Sequence, residues 1–487
     1  MAINPHPWQE THLSAVVSSL RRFRVYVDTS STGAGKTIIS LLAAKALNRP
    51  VILIVTTSVL SYWQEWAAIV GVEVIACMNY ELVLSQTRIT RYYYDDPPSQ
   101  PETARQKRRR VNESKVWREG IHPKDKRKVQ RKSVNLKNHP NPDDLLGGWE
   151  SVNTQWHWNE EWLQGDPLMI FDEAHKLGGA KSKYAHFLKA TKDQNIMTLC
   201  LSATVADSPL RMRALAYRLG LIRSFNSSKF SAWCELNGCD RGDMNQLVFT
   251  GDEQDIEEIK GEIGERIGGI NTSEVPGFPE SNLVLISAPV KETLLNDAYK
   301  EAILAMHEEA ETEAVASLRA RQLSEWLKKE WVVEKTKDLM DEGNSVCVFV
   351  SFVETGKWLS EKFSCDFICG ETKGERDEQI RKFQANEAHV IVIMCQAGGE
   401  SISLHDLHGR PRATIIMPGF NPTEFVQVLG RVPRAGSQQS SVTQYIVFAR
   451  GCEVESRIRR NIRVKSTNIR TLTGNDLSIV PDKMLKG

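Results

Sequence analysis

Long apolar runs are missing from this sequence. No stretch of its 487 residues approaches the ~18–20 consecutive apolar residues needed to cross a bilayer, which excludes a membrane protein built on spanning helices. The first ten residues lack a basic segment followed by an apolar core, so no secretory signal is expected. The sequence also lacks an internal repeat of about 20–50 residues, which excludes solenoids and propellers.

Cysteine pairs with zinc-binding spacing are also missing. The nine cysteines include no C-x-x-C spacing, and the close pairs Cys234/Cys239 and Cys365/Cys369 are weak candidates for a zinc site. Their odd number, with several inside apolar runs, is typical of small buried thiols and not of a disulfide framework. We therefore expect an intracellular, reducing compartment.

Net charge is almost absent, since 62 Lys and Arg stand against 61 Asp and Glu, a formal charge of +1. The charge is nevertheless segregated along the chain. Residues 104–137 contain fourteen basic and three acidic residues, a local +11 that leaves −10 for the remainder. A smaller basic stretch covers 450–470, and acidic residues concentrate in 252–265 and 308–313. This pattern favours a localised polyanion site at 104–137 as strongly as it favours a solvated basic loop.

Short apolar runs alternate with helical patterns, which predicts an α/β fold with parallel sheets flanked by helices. The strands expected in the first half are 24–28, 51–56, 72–77, 168–171 and 197–201. Those expected in the second half are 283–288, 346–350, 365–368, 390–394, 413–417 and 442–448. The stretch 291–342, rich in strong helix formers, is expected to be mostly helical.

The two series of strands predict two domains, at 1–225 and 281–450. The Gly-rich, acidic stretch 226–280 is expected to connect them, and 451–487 to form a basic C-terminal tail. An insertion at about 88–165 interrupts the first domain; it lacks strand periodicity and contains the basic segment. The tryptophans near its end, Trp149, Trp156, Trp158 and Trp162, favour a small hydrophobic core over stacking on bases.

A phosphate-binding loop is indicated by residues 30–37, Ser-Ser-Thr-Gly-Ala-Gly-Lys-Thr, which follow a predicted strand and open a predicted helix. Glycines allow backbone N–H groups to turn inward around phosphates, and the helix N-terminus favours negative charge there. Lys36 is expected to neutralise β- and γ-phosphate charge, and the Thr37 hydroxyl to ligate Mg²⁺. The nucleotide-binding candidates in this loop are Thr32, Gly33, Gly35, Lys36 and Thr37.

Two carboxylates follow the apolar run 168–171, where parallel strands present their ligand-binding ends. Asp172 is the second candidate Mg²⁺ ligand, and Glu173 is expected to orient and deprotonate the attacking water. In the second half, 427–436 places Arg431 and Arg434 three residues apart, so that both can reach one phosphate. With Gln427, these side chains predict one nucleotide-hydrolysing site divided between two domains.

The motifs together resemble superfamily 2 helicases and translocases, and are most similar to the SNF2-like branch with its viral and phage members. Residues 172–175 match the DEAH form of motif II. The resemblance implies two RecA-like parallel-sheet domains in tandem, ATP and Mg²⁺, a nucleic-acid partner and, for a viral member, the host cytoplasm or nucleus. Ser30 stands where the strict phosphate-loop pattern has glycine, and the family's pattern accommodates it.

The same resemblance assigns the remaining motifs. Residues 56–66 and 79–82 resemble motif Ia and the motif after it, while 202–204, 348–352 and 397–406 resemble motifs III, IV and V. Gln9 is implied to contact the adenine base. Coupling of hydrolysis to grip is implied for Ser202, Thr204, Gly398 and Gly399, and phosphate grip for Thr57, Ser58, Ser351 and Ser401. Ser401 replaces a glycine usual in motif V, which would stiffen that loop and weaken coupling.

Three functions follow from these motifs. An ATP-dependent DNA translocase or helicase is favoured, with replication or transcription proteins as conceivable further partners. An RNA helicase or transcription-associated RNA release factor stays open, because DEAH-type motifs occur with both nucleic acids. A scaffold that binds nucleic acid without hydrolysing ATP is disfavoured by the intact Lys36, Asp172 and Glu173, and no nuclease constellation is visible.

Overall fold

The computed structural model describes residues 3–86, 93–94, 117–121, 128–132, 158, 160–179, 182–242, 245–290, 313–370, 375–398 and 402–474. Within these ranges, no helix has the length and apolar character needed to cross a bilayer. The same ranges contain no cluster of three or more His, Cys, Asp and Glu side chains arranged to hold a metal ion.

A six-stranded parallel sheet forms the centre of the first domain. Its strands are β1 (Val25–Asp28), β2 (Val51–Val55), β3 (Val74–Asn79), β7 (Leu168–Asp172), β8 (Met197–Leu201) and β11 (Ile267–Gly268). They lie in the order β11-β1-β8-β7-β2-β3. Strands β1, β2 and β8 are buried at every residue, as expected of a sheet covered on both faces.

Helices cover both faces of this sheet and position its loops. They are α1 (Pro7–Phe23), α2 (Lys36–Ala46), α3 (Leu60–Val70), α4 (Tyr80–Gln86), α5 (Ala185–Asp193) and α6 (Arg213–Leu219). Helix α1 begins at a proline with a capping box between His6 and Gln9, and α3 ends at Gly71, whose φ of 77° suits glycine.

The stretch 226–280, expected to be a connector, is instead built into the first domain. It contains α7 (Ser227–Leu236), the antiparallel pair β9 (Cys239–Arg241) and β10 (Leu247–Phe249), and α8 (Glu253–Ile263). Strand β11 then pairs in parallel with β1, the strand that precedes the phosphate loop. Apolar residues of α7 and α8 are buried in the same core as the sheet. This stretch is therefore part of the first domain and does not form a separate connector.

The insertion was expected to lack strands, yet three short ones are present: β4 (Tyr93–Tyr94), β5 (Trp117–Ile121) and β6 (Lys128–Lys132). They form an antiparallel sheet in the order β4-β6-β5. Most of the basic run lies outside the described residues, as do Trp149 and Trp156. Trp158 packs on Phe171 and Phe187 in the core of the first domain, so it is unavailable for base stacking.

A second six-stranded parallel sheet forms the other domain. Its strands are β12 (Glu280–Ala288), β13 (Ser345–Val350), β14 (Asp366–Ile368), β15 (Val390–Met394), β16 (Arg412–Ile416) and β17 (Ser441–Ala449), in the order β12-β17-β16-β13-β15-β14. Its helices are α9 (Glu313–Asp341), α10 (Val353–Phe363), α11 (Arg376–Gln384), α12 (Cys395–Gly398) and α13 (Pro422–Leu429). The expected pair of RecA-like parallel-sheet domains in tandem is confirmed.

The chain after 450 was expected to be a basic tail, but over Glu453–Thr473 it forms helix α14, which contacts both domains. Near its start, Glu455 accepts a hydrogen bond from the buried Lys328 ammonium at 2.8 Å. Near its end, the Asn468 amide donates to the Asp207 carbonyl of the first domain at 3.1 Å, and the Thr29 hydroxyl donates to the Thr473 carbonyl at 3.0 Å. Residues 475–487 lie outside the described part.

Candidate active site

The phosphate loop lies between β1 and α2. Gly33 and Gly35 have φ angles of 87° and 86°, in the left-handed region that glycine adopts without strain. Lys36 is the first residue of α2, and its ammonium donates to the carbonyls of Ser30 and Ser31 at 2.7 and 3.2 Å. These bonds hold the lysine over the loop, where phosphate oxygens would replace the two carbonyls as partners.

A buried polar network fixes this loop from below. The Ser30 N–H donates to Asp28 at 2.8 Å, and the Ser30 hydroxyl accepts from the Ile270 N–H at 3.0 Å. The His12 ring lies 3.3 Å from Asp28 and from the Ser30 hydroxyl. Burial acts to raise the pKa of Asp28, but His12, Ser30 and Lys36 outweigh it, so that the pKa is lowered. Ser30 is therefore a bonded member of the loop and more than a tolerated replacement for glycine.

Gln9 lies against the same loop and is almost fully buried. Its amide nitrogen donates to the Ala34 carbonyl at 3.2 Å, and its amide oxygen accepts from the His6 N–H at 3.0 Å. Gly35 has a φ of 86°, and a Cβ there would lie 2.5 Å from the Gln9 nitrogen, so a side chain at 35 would strain the backbone and displace the Gln9 amide. The structure thus places Gln9 beside the nucleotide loop, and its contact with a base stays a prediction.

Asp172, at the end of β7, is held by two aromatic residues that carry no charge. The Trp63 indole N–H donates to the carboxylate at 3.0 Å, and the Tyr80 hydroxyl donates to the Asp172 carbonyl at 2.6 Å. Both aromatic side chains are fully buried. Burial and the charge of Glu173 raise the pKa of Asp172 to about 6, although the Trp63 hydrogen bond and the Lys36 charge act to lower it. A bound cation would stabilise the ionised Asp172 carboxylate and so lower its pKa again, as expected of a metal ligand.

Glu173 has a φ of 52°, an uncommon conformation for a non-glycine residue. Its carboxylate lies 3.3 Å from the His175 ring and accepts a 3.3 Å hydrogen bond from the Gln427 amide of the second domain. Burial acts to raise the pKa of Glu173, but His175, Arg431 and Lys36 outweigh it and hold the pKa at about 2. The carboxylate is therefore ionised, as a group that accepts a proton from water must be.

Arg431 and Arg434 enter the cleft from the chain after α13. Arg431 is almost fully buried and donates to the Ile402 carbonyl at 3.4 Å, and Arg434 donates to the same carbonyl at 3.0 Å. Burial lowers the pKa of Arg434 to about 10, which still leaves it charged at neutral pH. Burial lowers the pKa of Lys36, and the charge of Arg434 acts in the same direction. Arg434 thus acts electrostatically on the phosphate loop, and Arg431 acts on Glu173.

The two domains meet directly at this point. A Cβ at Gly430 would lie 2.8 Å from Cβ of Thr32, and a Cβ at Gly33 would lie 3.4 Å from Cγ of Arg434. Glycine at 430 therefore permits the approach that brings the arginines to the phosphate loop. The structure brings together the predicted residues Lys36, Asp172, Glu173, Gln427, Arg431 and Arg434.

The donor set fits a nucleoside triphosphate with Mg²⁺. Thr37 follows Lys36 in the first turn of α2, and Asp172 provides a half-buried carboxylate at the end of β7, which is separated from β1 by β8 alone. A hydroxyl and a carboxylate are oxygen ligands of the kind that Mg²⁺ takes beside substrate phosphates. Their pairing in one metal site stays a prediction.

The structure describes three of the four residues that were expected to couple hydrolysis to grip, namely Ser202, Thr204 and Gly398. The Ser202 hydroxyl lies 3.2 Å from the His175 ring and accepts from the Thr204 N–H at 3.2 Å. Residues 172–175 and 202–204 are therefore in direct contact, and a role of this contact in coupling stays a prediction. Gly398 ends helix α12, whereas Gly399 and Ser401 lie outside the described residues.

The expected phosphate grip divides between the domains. Thr57 and Ser58 are exposed in a short 3-10 turn at the end of β2. In the second domain, the Ser351 N–H donates to Glu325 at 2.8 Å and its hydroxyl donates to the Met417 carbonyl at 3.1 Å. Both donors of Ser351 are thus paired inside the second domain, and its grip on a phosphate stays a prediction.

Four side chains of this site were not assigned a role from sequence: Asp28, Trp63, Tyr80 and Glu325. The first is signalled by a lone carboxylate inside a buried strand just before the phosphate loop. Trp63 and Tyr80 lie inside the motif-like stretches 56–66 and 79–82, but nothing local indicates that they contact Asp172. Glu325 lies on a long helix and gives no sequence signal.

Comparisons with known proteins agree with the superfamily expected from the motifs. Residues 328–436, most of the second domain, match the family model described as the helicase conserved C-terminal domain. A protein of Acanthamoeba polyphaga mimivirus with the provisional name ATP-dependent RNA helicase is 26% identical over 494 residues, which cover 97% of this chain and 84% of the relative. The DEAH form of motif II and the closeness to phage members stay predictions.

One solved structure, the Sulfolobus solfataricus SWI2/SNF2 ATPase core in complex with dsDNA, aligns with 92% of this chain and 88% of that chain at 16% identity. Its TM-score is 0.34, too low for the likeness to bear on the fold.

Proposed function

We propose that this protein is a nucleic-acid-dependent ATPase that couples ATP hydrolysis to movement on, or unwinding of, nucleic acid. The observation that carries the proposal is the contact between Gln427 of the second domain and Glu173 of the first, beside Arg431 and Arg434. A site completed only when two domains meet converts hydrolysis into relative domain motion.

Binding of ATP begins at the phosphate loop. The N–H groups around Gly33 and Gly35 and the N-terminus of α2 favour the phosphates, and Lys36 exchanges its two loop carbonyls for phosphate oxygens. Thr37 and Asp172 would hold Mg²⁺, which when bound neutralises charge on the β- and γ-phosphates.

Hydrolysis requires a water aligned with the γ-phosphate. Glu173, ionised and fixed by His175 and Gln427, orients this water and accepts its proton. Arg431 and Arg434 stabilise the charge that develops on the transferred phosphoryl group, in the manner of arginine fingers supplied in cis.

Coupling to nucleic acid runs through motif III. The contact of His175 with Ser202 links the carboxylate that acts on water to the loop after β8, and helix α14 reaches that loop at Asp207. A change in the bound nucleotide or in the domain arrangement would therefore alter contacts both at Glu173 and in the loop after β8.

DNA is the proposed substrate, on the strength of the SNF2-like motifs. RNA is the second candidate, because the mimivirus relative bears the name of an RNA helicase. A scaffold without hydrolysis is disfavoured by the fully assembled set of Lys36, Asp172, Glu173 and the two arginines.

Phosphate release measured with no nucleic acid, single-stranded DNA, duplex DNA and RNA tests the proposal. Stimulation by DNA supports the first candidate, and stimulation by RNA alone supports the second. Absence of stimulation by all three contradicts the coupling of ATPase to nucleic acid. A Lys36→Ala variant should abolish turnover in every case, which excludes a contaminating ATPase.

A further inference from the structure

Arg321, on helix α9 of the second domain, is held between two aromatic rings. Its guanidinium carbon lies 5.5 Å from the centroid of Phe352 and 4.9 Å from that of Phe420. A Cβ at Gly419 would lie 3.1 Å from its terminal nitrogen, so the absence of a side chain there makes room for it. Arginine stacked on aromatic faces keeps the edges of its fork available for hydrogen bonds.

Within the described ranges, this guanidinium makes no hydrogen bond and no ion pair. It is half-buried, and burial lowers its pKa, while Glu325, Glu424 and Glu455 act to raise it. Two of these carboxylates are committed elsewhere, since Glu325 accepts the N–H groups of Ser351 and Phe352 and Glu455 accepts from Lys328. An immobilised cation with unused donors is what a phosphate oxygen would complete.

The position of Arg321 is set by two neighbouring strands. Phe352 follows β13 and Phe420 follows β16, and these strands pair in parallel, so both loops leave the same edge of the sheet. The Ser351 hydroxyl, which donates to the Met417 carbonyl, ties the two loops together. The motif IV region that was expected to grip nucleic acid lies at this edge, although Ser351 itself has no free donor.

Two further cations stacked on aromatic rings lie near Arg321, Lys329 on α9 and Lys362 on α10. The Lys329 ammonium lies 3.2 Å from the ring centroid of Trp326 and 4.4 Å from that of Trp358, and the Lys362 ammonium lies 5.9 Å from Trp358. Lys329 lies about 12 Å from Arg321 along the helix. The surface formed by Arg321, Lys329 and Lys362 with their aromatic neighbours suits a polyanion that crosses the second domain.

We propose that Arg321 binds a backbone phosphate of the nucleic acid and provides the second domain's main grip beside motif IV. This inference rests on the proposed function, because it needs a nucleic-acid substrate. It assigns to a guanidinium on helix α9 the role that the sequence suggested for Ser351.

The test is fluorescence anisotropy of labelled oligothymidylate with the full-length protein, repeated across about 50 to 200 mM salt. The variants are Arg321→Gln, Arg321→Lys and the control Lys337→Gln. Lys337 is exposed on the same helix, about 24 Å from Arg321, so the control removes one charge without touching the proposed site. Thermal unfolding verifies that each variant is folded.

Arg321→Gln should weaken binding about tenfold and reduce the slope of log affinity against log salt by about 0.7, the value of one lost phosphate contact on a single strand. Arg321→Lys should lie between the wild type and Arg321→Gln in affinity and keep the slope, because it retains the charge but loses the planar fork. If Arg321→Gln fails to fold, the affinity of Arg321→Lys decides, and affinity equal to the wild type overturns the inference.

Equal affinities and slopes for Arg321→Gln and Lys337→Gln would overturn the inference and leave the proposed function intact. Binding weakened with an unchanged salt slope would also overturn it, because no phosphate contact would have been lost. A wild-type protein that binds neither DNA nor RNA would instead overturn the proposed function, and with it this assignment.

Discussion

The two halves of the candidate active site are built differently. In the first domain, Asp172 accepts a hydrogen bond from Trp63, Glu173 contacts His175, and Ser30 is bonded into the phosphate loop. In the second domain, Arg431 and Arg434 both donate to one carbonyl, that of Ile402, and the chain around it is only partly described. The side chains of the first half are thus held largely by contacts within their own domain, whereas the second half delivers positive charge.

This difference indicates a division of labour. Under the proposed function, the first domain holds the groups that would bind ATP, and the arginines of the second domain would add positive charge at the transferred γ-phosphoryl group. In the structure, this charge lies where Gly430 closely approaches Thr32. Binding should therefore depend on the first half, and turnover on both.

Removal of the Arg434 side chain should distinguish the roles of the two halves most strongly, because it should lower turnover and leave ATP binding nearly unchanged. Arg434→Ala should leave ATP affinity within a few-fold of the wild type and lower the single-turnover hydrolysis rate by about 10³–10⁵, the range for a lost arginine finger. Arg381→Ala is a matched control, because Arg381 is exposed and is paired with Glu378 and Glu387 and not with residues of the candidate site. A loss of ATP affinity as large as the loss of rate would show that Arg434 belongs to the binding half.

Glu173→Gln removes the proton acceptor while it keeps the size of the side chain. ATP binding should persist, and turnover should fall by about 10²–10⁴, the usual contribution of a general base. Phosphate release and nucleotide affinity, measured on the same preparation, separate the two effects. Turnover retained in this variant would refute the assignment of Glu173 as the base.

Gly430→Ala tests the approach of the domains by steric means. The added Cβ would meet Thr32 at 2.8 Å, so the domains must shift apart. Displacements of about 1 Å at a reacting centre cost up to ~100-fold in rate, and we expect a loss of that order in steady-state turnover with ATP affinity preserved. Gly261→Ala, in open space on α8, should leave turnover unchanged. Equal rates for both variants would mean that the contact is not needed.

Trp63→Phe should have the smallest effect of these changes. It removes one hydrogen bond to the Asp172 carboxylate and preserves most of the packing, so the Mg²⁺ concentration for half-maximal ATPase should rise about tenfold. Trp66→Phe, on the same helix and only half-buried, provides the comparison. If the two variants need the same Mg²⁺ concentration, Trp63 contributes only to packing.

Much of the first domain's half of the site could be predicted from the sequence, because the residues that indicate it lie close together along the chain. A buried strand, a glycine loop and a helix that begins at Lys36 follow one another within a few residues. The contacts that complete the site could not be predicted in this way. Trp63 is 109 residues from Asp172, and Gln427 is 254 residues from Glu173, so only the fold brings them together.

The segments that were misassigned share a physical cause. In 226–280, glycines and surface acids conceal the buried isoleucines of α8 and the short strand β11. In 453–473, basic residues conceal Ile458, Ile462 and Ile469, which are buried in the core of the second domain, and Leu472, which is buried in the core of the first. Composition reports the exposed face of such helices, whereas the periodic apolar face decides where they pack.

The most direct test of the two-domain site is a double-mutant cycle on single-turnover hydrolysis with saturating ATP and nucleic acid, using Glu173→Gln, Arg434→Ala and the double variant. Residues that act at one reacting centre are strongly non-additive. We predict that the double variant is no slower than the slower single variant by more than a few-fold. Losses that multiply would contradict a single site shared by the two domains.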